Sequence, residues 1–238
     1  MMRFPEFEGL GLPVAAFSGK DDGDCGLRNP DSLADSLDNR RRFCQALGTT
    51  LDNLVCAQQV HGTAIAPVCD ADRGRGARAW DLGVPDTDGL VTDTPGLALA
   101  VFVADCVPVF LYDPIRKAAA LVHAGRRGTL ANIAGHAVDV LRTRFGVRPA
   151  DLHALIGPSA GPDAYEVSPE MARQWREARL PARGRLLDLW EANALQLSRA
   201  GVHRRHIALA GVCTIADRRF FSYRAGDGSG RNMALIKL

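Results

Sequence analysis

The sequence predicts a mixed α/β fold in a single domain. Short apolar runs bounded by turn residues dominate the middle and the end of the chain, which indicates strands. Segments with helical spacing of apolar residues lie between these runs, but without the regular alternation of a doubly wound sheet. The 238 residues, 47% hydrophobic and 24% charged, can bury a large core and exclude disordered and fibrous classes. The loop-rich stretches 19–29 and 70–88 do not resemble linkers, so we expect one domain over residues 1–238.

The first half of the chain is predicted to hold one helix and then a series of strands. The helix runs from Pro30 to Leu47 before Gly48, and its apolar face carries Leu33, Leu37, Cys44 and Leu47. Strands are expected over 54–60 and 63–68, on either side of His61. Four more follow between Gly89 and Ala124 as the runs GLVTD, LALAVFVA, VPVFLYD and AAALVHA. Their continuous apolar character predicts burial on both faces.

After His123 the period becomes helical. Apolar residues from Leu130 to Phe145 predict a helix that ends at Gly146, and a strand follows over 152–156. Helices are expected over 169–179 and 189–200. The chain then returns to strands in the runs IALAGV, FFSYR and NMALIKL.

Cysteine usage and charge restrict the class of protein. Six cysteines occur with no CxxC pair, at positions 25, 44, 56, 69, 106 and 213. No signal peptide is visible in the polar first residues, so we expect a reduced, cytoplasmic protein. The most apolar stretch, 97–112, is shorter than the ~20 residues of a membrane helix, so no membrane partner is expected. The net charge is +2 and the 26 arginines are scattered, so no nucleic-acid partner is expected either.

Three residues with metal-binding side chains are expected at strand ends beside turn residues. They are His61 in QVHG, Cys106 in ADCVP and His123 in VHAG. Two imidazoles and a thiolate suit zinc, and three protein ligands leave a fourth position for a water or a substrate. Spacing alone is weak evidence, because a buried His or Cys at a strand end is usually a core residue.

A second interpretation uses the same atoms. Cys106 is then a nucleophile, His123 its base, and Asp105 or another group the residue that orients the histidine. The sequence does not separate a thiolate ligand from a thiolate nucleophile, since both need a lowered pKa.

Two further segments could bind a ligand. Gly125-Arg126-Arg127-Gly128 leads into a helix and suits a phosphate or a carboxylate, although a plain surface turn is equally compatible with it. The segment from Phe220 to Arg231 combines aromatic residues, arginines and glycines. It could stack on a planar base, or simply pack as an edge strand.

Six ordered blocks together resemble the YfiH-like family. They are QVHG, DGLVTDTPG, ADCVPV, HAGRRG, IGPSAGPDAYEV and FFSYR followed by GR, and the resemblance covers residues 12–238. The family has been described as laccase-like multicopper polyphenol oxidases and as purine nucleoside phosphorylases, and it includes a peptidoglycan editing factor.

The resemblance implies a single-domain fold of mixed β-sheets flanked by helices, of the cysteine-hydrolase type. It implies a zinc ion held by His61, Cys106 and His123. The residues that we expect to be catalytic are Cys106, His123 and Asp105. It implies phosphorolysis of adenosine, inosine, guanosine and 5′-methylthioadenosine, together with adenosine deamination. The expected substrate-binding residues, for the nucleoside and for phosphate, are Lys20, Arg40, Gln59, Arg127, Ser222 and Arg224.

The chain departs from the family pattern near these positions. Arg126 stands where the family usually has a Trp, and Lys20 stands near an expected Arg whose bidentate fork it does not reproduce. Copper is a possible alternative metal, but six histidines are few for a multicopper cluster. The alternatives kept open are a Cys-His amidohydrolase acting on peptidoglycan precursors, a copper-dependent polyphenol oxidase and a binding protein without turnover.

Overall fold

Two large β-sheets lie face to face, and helices cover their outer faces. The computed structural model describes residues 1–12 and 14–238. The strands are β1 (Met2–Arg3), β2 (Val14–Phe17), β3 (Leu54–Cys56), β4 (Ile65–Pro67), β5 (Gly89–Thr92), β6 (Ala98–Val103), β7 (Val107–Asp113), β8 (Ala118–Ala124), β9 (His153–Ile156), β10 (Ala182–Arg183), β11 (Leu186–Leu187), β12 (Ile207–Leu209) and β13 (Asn232–Lys237). The helices are α1 (Pro5–Glu8), α2 (Leu33–Ala46), α3 (Arg126–Leu130), α4 (Ile133–Phe145), α5 (Pro169–Glu177) and α6 (Leu189–Arg199).

Both large sheets are mixed, as predicted. The first has the order β1-β2-β13-β6-β3 and is parallel only between β3 and β6. The second has the order β12-β9-β7-β8-β5-β4 and is parallel at its two edges. The strands β10 and β11 form a separate antiparallel pair.

The inner strands of both sheets are buried on two faces because each sheet lies between two layers, whereas the edge strands β1, β4 and β12 are partly exposed. On β6, Leu99 and Val101 face the second sheet, whereas Ala98 and Ala100 face α2. Phe110 on β7 enters the same core between the sheets. Burying one such leucine contributes roughly 1.5–3 kcal/mol to stability. The predicted burial of these runs on both faces is confirmed.

The outer face of the second sheet is covered by α4, α5 and α6. Ile133 and Leu141 of α4, Trp175 of α5 and Leu197 of α6 share one core with the outward residues of β7 and β8. No helix in the described part of the chain combines the length and the hydrophobicity needed to cross a membrane.

Two predicted helices differ from the structure. The helix expected from Leu130 begins instead at Ile133 as α4, because Asn132 directly before it adopts a left-handed conformation with φ 64°, and the short helix α3 precedes it over 126–130. The helix expected from Pro30 begins as a short 3₁₀ turn, and Leu33 is exposed. The buried face of α2 includes Arg40, whose guanidinium bonds to backbone carbonyls.

One predicted strand is wrong, and two others are shorter than predicted. The FFSYR segment forms turns, since the side chain of Asn232 bonds to both backbone groups of Phe221 and takes the place of a neighbouring strand. The strand expected over 54–60 ends at Cys56 and the next begins at Ile65, so His61 lies within a loop rather than at a strand end.

Three connections cross between the two sheets at one end of the sandwich. They are the loops from β3 to β4, from β6 to β7 and from β12 to β13. The registers Val103 with Asn232 and Val107 with Ala124 place the relevant strand ends at the same edge. The first loop carries His61, the second Cys106, and His123 lies beside them near the end of β8.

We expect Leu99→Ala to lower the free energy of unfolding by about 2–5 kcal/mol, because the side chain is fully buried between the sheets. Leu209→Ala is the matched control, since Leu209 is 51% exposed on the edge strand β12 and should change stability by less than about 1 kcal/mol. Urea denaturation followed by circular dichroism measures both. Equal effects of the two substitutions would contradict the layered packing.

Candidate metal centre

His61, Cys106 and His123 come together at the end of the molecule where the three loops pass between the two sheets. One ligand atom from each lies within 4.8 Å of the other two, and this is the one such three-residue group in the described part of the chain. The two imidazole rings stand edge to face with centroids 4.7 Å apart. His123 is buried, Cys106 partly buried and His61 exposed, so the group opens to solvent on the His61 side.

The Asp88 carboxylate fixes both histidines. It lies directly before β5 and is fully buried. Its Oδ1 is 2.7 Å from Nδ1 of His123, which leaves the Nε2 atom of His123 available to a metal. Such a carboxylate on the far nitrogen is the usual partner of a metal-binding histidine.

The same carboxylate also holds the His61 loop. Backbone amides of three consecutive residues donate to it: Val60 at 3.2 Å, His61 at 3.0 Å and Gly62 at 2.6 Å. His61 has φ 62°, a left-handed conformation that is unfavourable for most residues. These bonds compensate the strained backbone and set the direction of the imidazole.

No role is predicted for Asp88, which lies within DGLVTDTPG. Asp105 or another group is the predicted residue that orients His123. In the structure Asp105 instead accepts hydrogen bonds from Oγ1 of Thr214 and from the backbone amide of Arg224, both at 2.8 Å. The carboxylate bonded to His123 is therefore that of Asp88. An acidic residue directly before the apolar run 89–91 was the signal in the sequence that could have identified it.

Cys106 and His123 form a charge-stabilised pair in the metal-free protein. Burial alone would raise the pKa of the Cys106 thiol, but the charge and hydrogen bonds of His123 and His61 lower that pKa to about 6. Burial opposes protonation of His123, yet the Cys106 thiolate and Asp88 raise the pKa of its imidazole to about 9. A thiolate and two imidazoles, one held by a carboxylate, fit a first-row transition metal.

A cavity of about 600 Å³ adjoins this group. Its walls come from the crossing loops, from α3 and from the segments around residues 26–29 and 80. The Arg28 guanidinium lies 4.4 Å from the centre of the Trp80 ring, and that of Arg224 lies 4.7 Å from the Tyr165 ring. This size is in the range that holds small-molecule ligands.

Four of the six expected substrate-binding residues line the cavity: Arg40, Gln59, Arg127 and Arg224. Lys20 and Ser222 are not among the lining residues. The Lys20 ammonium is 2.6 Å from Asp227 and the Ser222 hydroxyl accepts from the amide of Ala225. Both stabilise the loop before β13.

The side chains of two lining residues are engaged in hydrogen bonds with backbone groups. Arg40 is 2% exposed, bonds to the carbonyls of Cys25, Gly76 and Ala77, and stacks 3.9 Å from the Phe102 ring centre. The Gln59 amide bonds to both backbone groups of Phe102, at 2.8 and 2.7 Å, as a neighbouring strand would. They shape the wall of the cavity, whereas Arg127 is exposed within it.

Residues 16–238 match the profile of a family described as multi-copper polyphenol oxidoreductase laccase. The chain is 41% identical over 226 residues to the purine nucleoside phosphorylase YlmD of Geobacillus stearothermophilus, covering 89% of this chain and 81% of that protein. The chain belongs to the YfiH-like family.

Other members of the family agree in sequence and in structure. A purine nucleoside phosphorylase of Corynebacterium glutamicum is 35% identical over 95% of this chain and 88% of its own. The crystal structure of YlmD from G. stearothermophilus superposes with a TM-score of 0.88 at 38% identity, covering 94% of this chain and 91% of that chain. The crystal structure of a Bacillus licheniformis hypothetical protein YfiH also superposes with a TM-score of 0.88. Its sequence is 35% identical, and the match covers 94% of this chain and 92% of that chain. These matches confirm the family and the mixed-sheet fold that the sequence predicts.

We expect Asp88→Asn to weaken zinc binding by about 10- to 100-fold, because the partner of His123 and the anchor of the His61 loop change together. Asp93→Asn is the control, since Asp93 is exposed five residues further along the same segment. Competition with a chromophoric chelator measures the affinity. Unchanged affinity in a folded Asp88→Asn protein would contradict the role of Asp88.

We expect iodoacetamide to label the cysteines unequally. In metal-free protein Cys106 should react from about pH 6 upward, because its thiol has a pKa of about 6 and the reactive thiolate predominates above that pH. Cys25 and Cys44 should stay unlabelled, since burial raises their thiol pKa to about 12, and so should buried Cys56 at about 11. Exposed Cys69 is the internal control.

Zinc should protect Cys106 from this reagent without protecting Cys69. Mass spectrometry of the digested protein measures both sites. Labelling of Cys106 that zinc does not slow would argue against the thiolate as a metal ligand.

Proposed function

We propose that this chain is a zinc-dependent purine nucleoside phosphorylase acting on adenosine, inosine, guanosine and 5′-methylthioadenosine, and that it deaminates adenosine in the same cavity. The observation that carries the proposal is a His₂Cys group, open on one side, in the wall of a ligand-sized cavity lined by arginines. The names of the curated relatives supply the reaction class. Reduced cysteines and small polar substrates favour a cytoplasmic location.

His61, Cys106 and His123 would hold the ion. When bound, zinc supplies Lewis acidity toward a water or substrate oxygen. Asp88 keeps the Nε2 atom of His123 free for this purpose. Three protein ligands with an open side are typical of catalytic rather than structural zinc.

Phosphorolysis also needs a phosphate held near C1′ of the ribose. An oxygen of that phosphate forms the new bond to C1′ while the bond to N9 of the purine breaks, and the purine leaves with a proton. Arg127 is the proposed phosphate ligand, because its guanidinium lines the cavity and has no hydrogen-bond partner among the described residues. A guanidinium can bind phosphate through two parallel hydrogen bonds.

A copper oxidase is less well supported by the donor set. His153, His203 and His206 lie together at the opposite end of the second sheet, where β9 begins, and His136 is exposed on α4. A multicopper cluster therefore lacks histidines at the cavity.

A Cys-His amidohydrolase acting on peptidoglycan precursors remains the second candidate. The observation that favours it is the thiolate–imidazolium pair of Cys106 and His123, with Asp88 as the third member. That arrangement is the one nucleophilic cysteine enzymes use.

The test is release of purine base and ribose 1-phosphate from adenosine and phosphate. We expect turnover with zinc, loss of turnover with a chelator, and loss in His61→Ala and Cys106→Ser because each removes a ligand. Activity in metal-free protein, with a covalent adduct on Cys106, would support the amidohydrolase instead. Zinc-loaded protein that forms no adenine, inosine or hypoxanthine would overturn the proposal.

We expect Arg127→Met to raise the KM for phosphate by about 10- to 100-fold, since a charge-assisted hydrogen bond contributes about 1.5–3 kcal/mol. Arg116→Met is the control. Arg116 is exposed in the turn between β7 and β8, at the other end of the sheet. A KM for phosphate that both variants leave unchanged would place the phosphate elsewhere.

A further inference from the structure

The wall of the cavity carries much more positive than negative charge. Six arginines line it, and Asp105 is the one acidic residue among the described lining residues. Both Asp105 carboxylate oxygens already accept hydrogen bonds from the protein. The arginines are Arg28, Arg40, Arg126, Arg127, Arg224 and Arg231.

These arginines differ in how far the protein already uses them. Arg40 is fully committed to three carbonyls, and one nitrogen of Arg231 bonds to the carbonyls of Gly228 and Gly230. Arg28 and Arg224 each give one nitrogen to a carbonyl. Arg126 and Arg127 donate no side-chain hydrogen bond to any described residue.

The proposed reaction does not use this much positive charge. A purine nucleoside is neutral, and inorganic phosphate is provided for by Arg127. Arg126 remains, half-buried without an acidic partner, next to Gly125, where an added Cβ would lie 2.9 Å from Sγ of Cys106. Six arginines that share a cavity with a single carboxylate favour a second anionic group on the ligand.

We propose that the cavity takes a nucleoside 5′-monophosphate, with Arg126 binding the 5′-phosphoryl group. This rests on the proposed function and names its substrate class. A guanidinium recognises a phosphoryl group through two parallel hydrogen bonds, which an apolar or aromatic residue at this position cannot make. The charge is concentrated inside a cavity rather than along a surface stripe, so a small anion fits it better than a nucleic acid.

The reaction then balances with inorganic phosphate as the co-reactant. A phosphate oxygen bonds to C1′, the bond from C1′ to N9 breaks, and the purine leaves with a proton. The sugar product is ribose 1,5-bisphosphate. No oxidant or reductant is needed.

The experiment compares adenosine and its 5′-monophosphate (AMP) on the zinc-loaded protein at fixed inorganic phosphate. Released purine base gives kcat/KM for each, and calorimetry without inorganic phosphate gives the dissociation constant of each. We expect kcat/KM for AMP to exceed that for adenosine by at least about tenfold, with tighter binding of AMP in proportion.

Variants assign the preference to Arg126. Arg126→Met should reduce the AMP-to-adenosine ratio of kcat/KM and of affinity by about tenfold or more, and Arg126→Lys should restore part of it as a point charge. Arg116→Met removes the same charge outside the cavity and should leave the ratio as in the parent chain. Circular dichroism verifies that each variant is folded.

The outcomes separate the two proposals. If adenosine is cleaved while AMP is neither bound more tightly nor cleaved faster, the nucleotide proposal is wrong and the phosphorylase proposal stands. If AMP binds but only inhibits, the nucleotide is not a substrate and the proposal is equally wrong. If AMP binds through Arg126 and no nucleoside or nucleotide is cleaved, the assignment of the anion site stands and the phosphorylase proposal fails.

Discussion

The buried Asp88 carboxylate joins two of the three chain segments that meet at the candidate metal centre. It accepts hydrogen bonds from three successive backbone amides of the His61 loop and from the ring of His123. Burial would ordinarily raise the pKa of this carboxyl, but the bonds from His123 and the loop amides lower it, so it remains charged. A neutral group would satisfy fewer donors and would leave the left-handed backbone at His61 without compensation.

The sandwich explains why the ligands meet at one end. His61 and Cys106 lie on loops that pass from the first sheet to the second, and a chain that changes sheets must leave regular pairing at the edge. Irregular backbone held by a rigid scaffold is where functional side chains concentrate. Arg40 plays a corresponding role in another part of the cavity wall, because its guanidinium bonds to the carbonyls of Cys25, Gly76 and Ala77.

The strands were predictable because their apolar runs carry the signal locally. The runs at β6, β7 and β8 are apolar on both faces, and this follows directly from a layer on each side. The FFSYR segment shows the same local pattern but is held in turns by the Asn232 side chain, eleven residues from Phe221. The spacing of apolar residues along the chain does not reveal such a hydrogen bond. The same limit applies to the break between α3 and α4, which depends on one residue, Asn132, in a left-handed conformation.

The candidate site was predictable to the extent that it depends on residue type. A thiolate and two imidazoles near strand boundaries indicate a candidate ligand group, and the structure brings these three side chains together. Which carboxylate bonds to His123 depends on a pairing across 35 residues, and the local sequence does not show such a pairing. The structure uses Asp105 to tie the loop of Arg224 and the segment of Thr214 to the crossing between β6 and β7.

The number of arginines does not show which of them have a functional role. The presence or absence of an acidic residue close in sequence does distinguish them. Exposed arginines such as Arg41, Arg75 and Arg142 each pair with an aspartate three residues before them, and such pairs contribute at most about 1 kcal/mol. Arg126 and Arg127 have no Asp or Glu within four residues on either side. Their charge is therefore not neutralised along the chain, and the fold places both on the wall of the cavity. An arginine without a local acid, next to a ligand residue such as His123, is the pattern that distinguishes these two from the compositional excess.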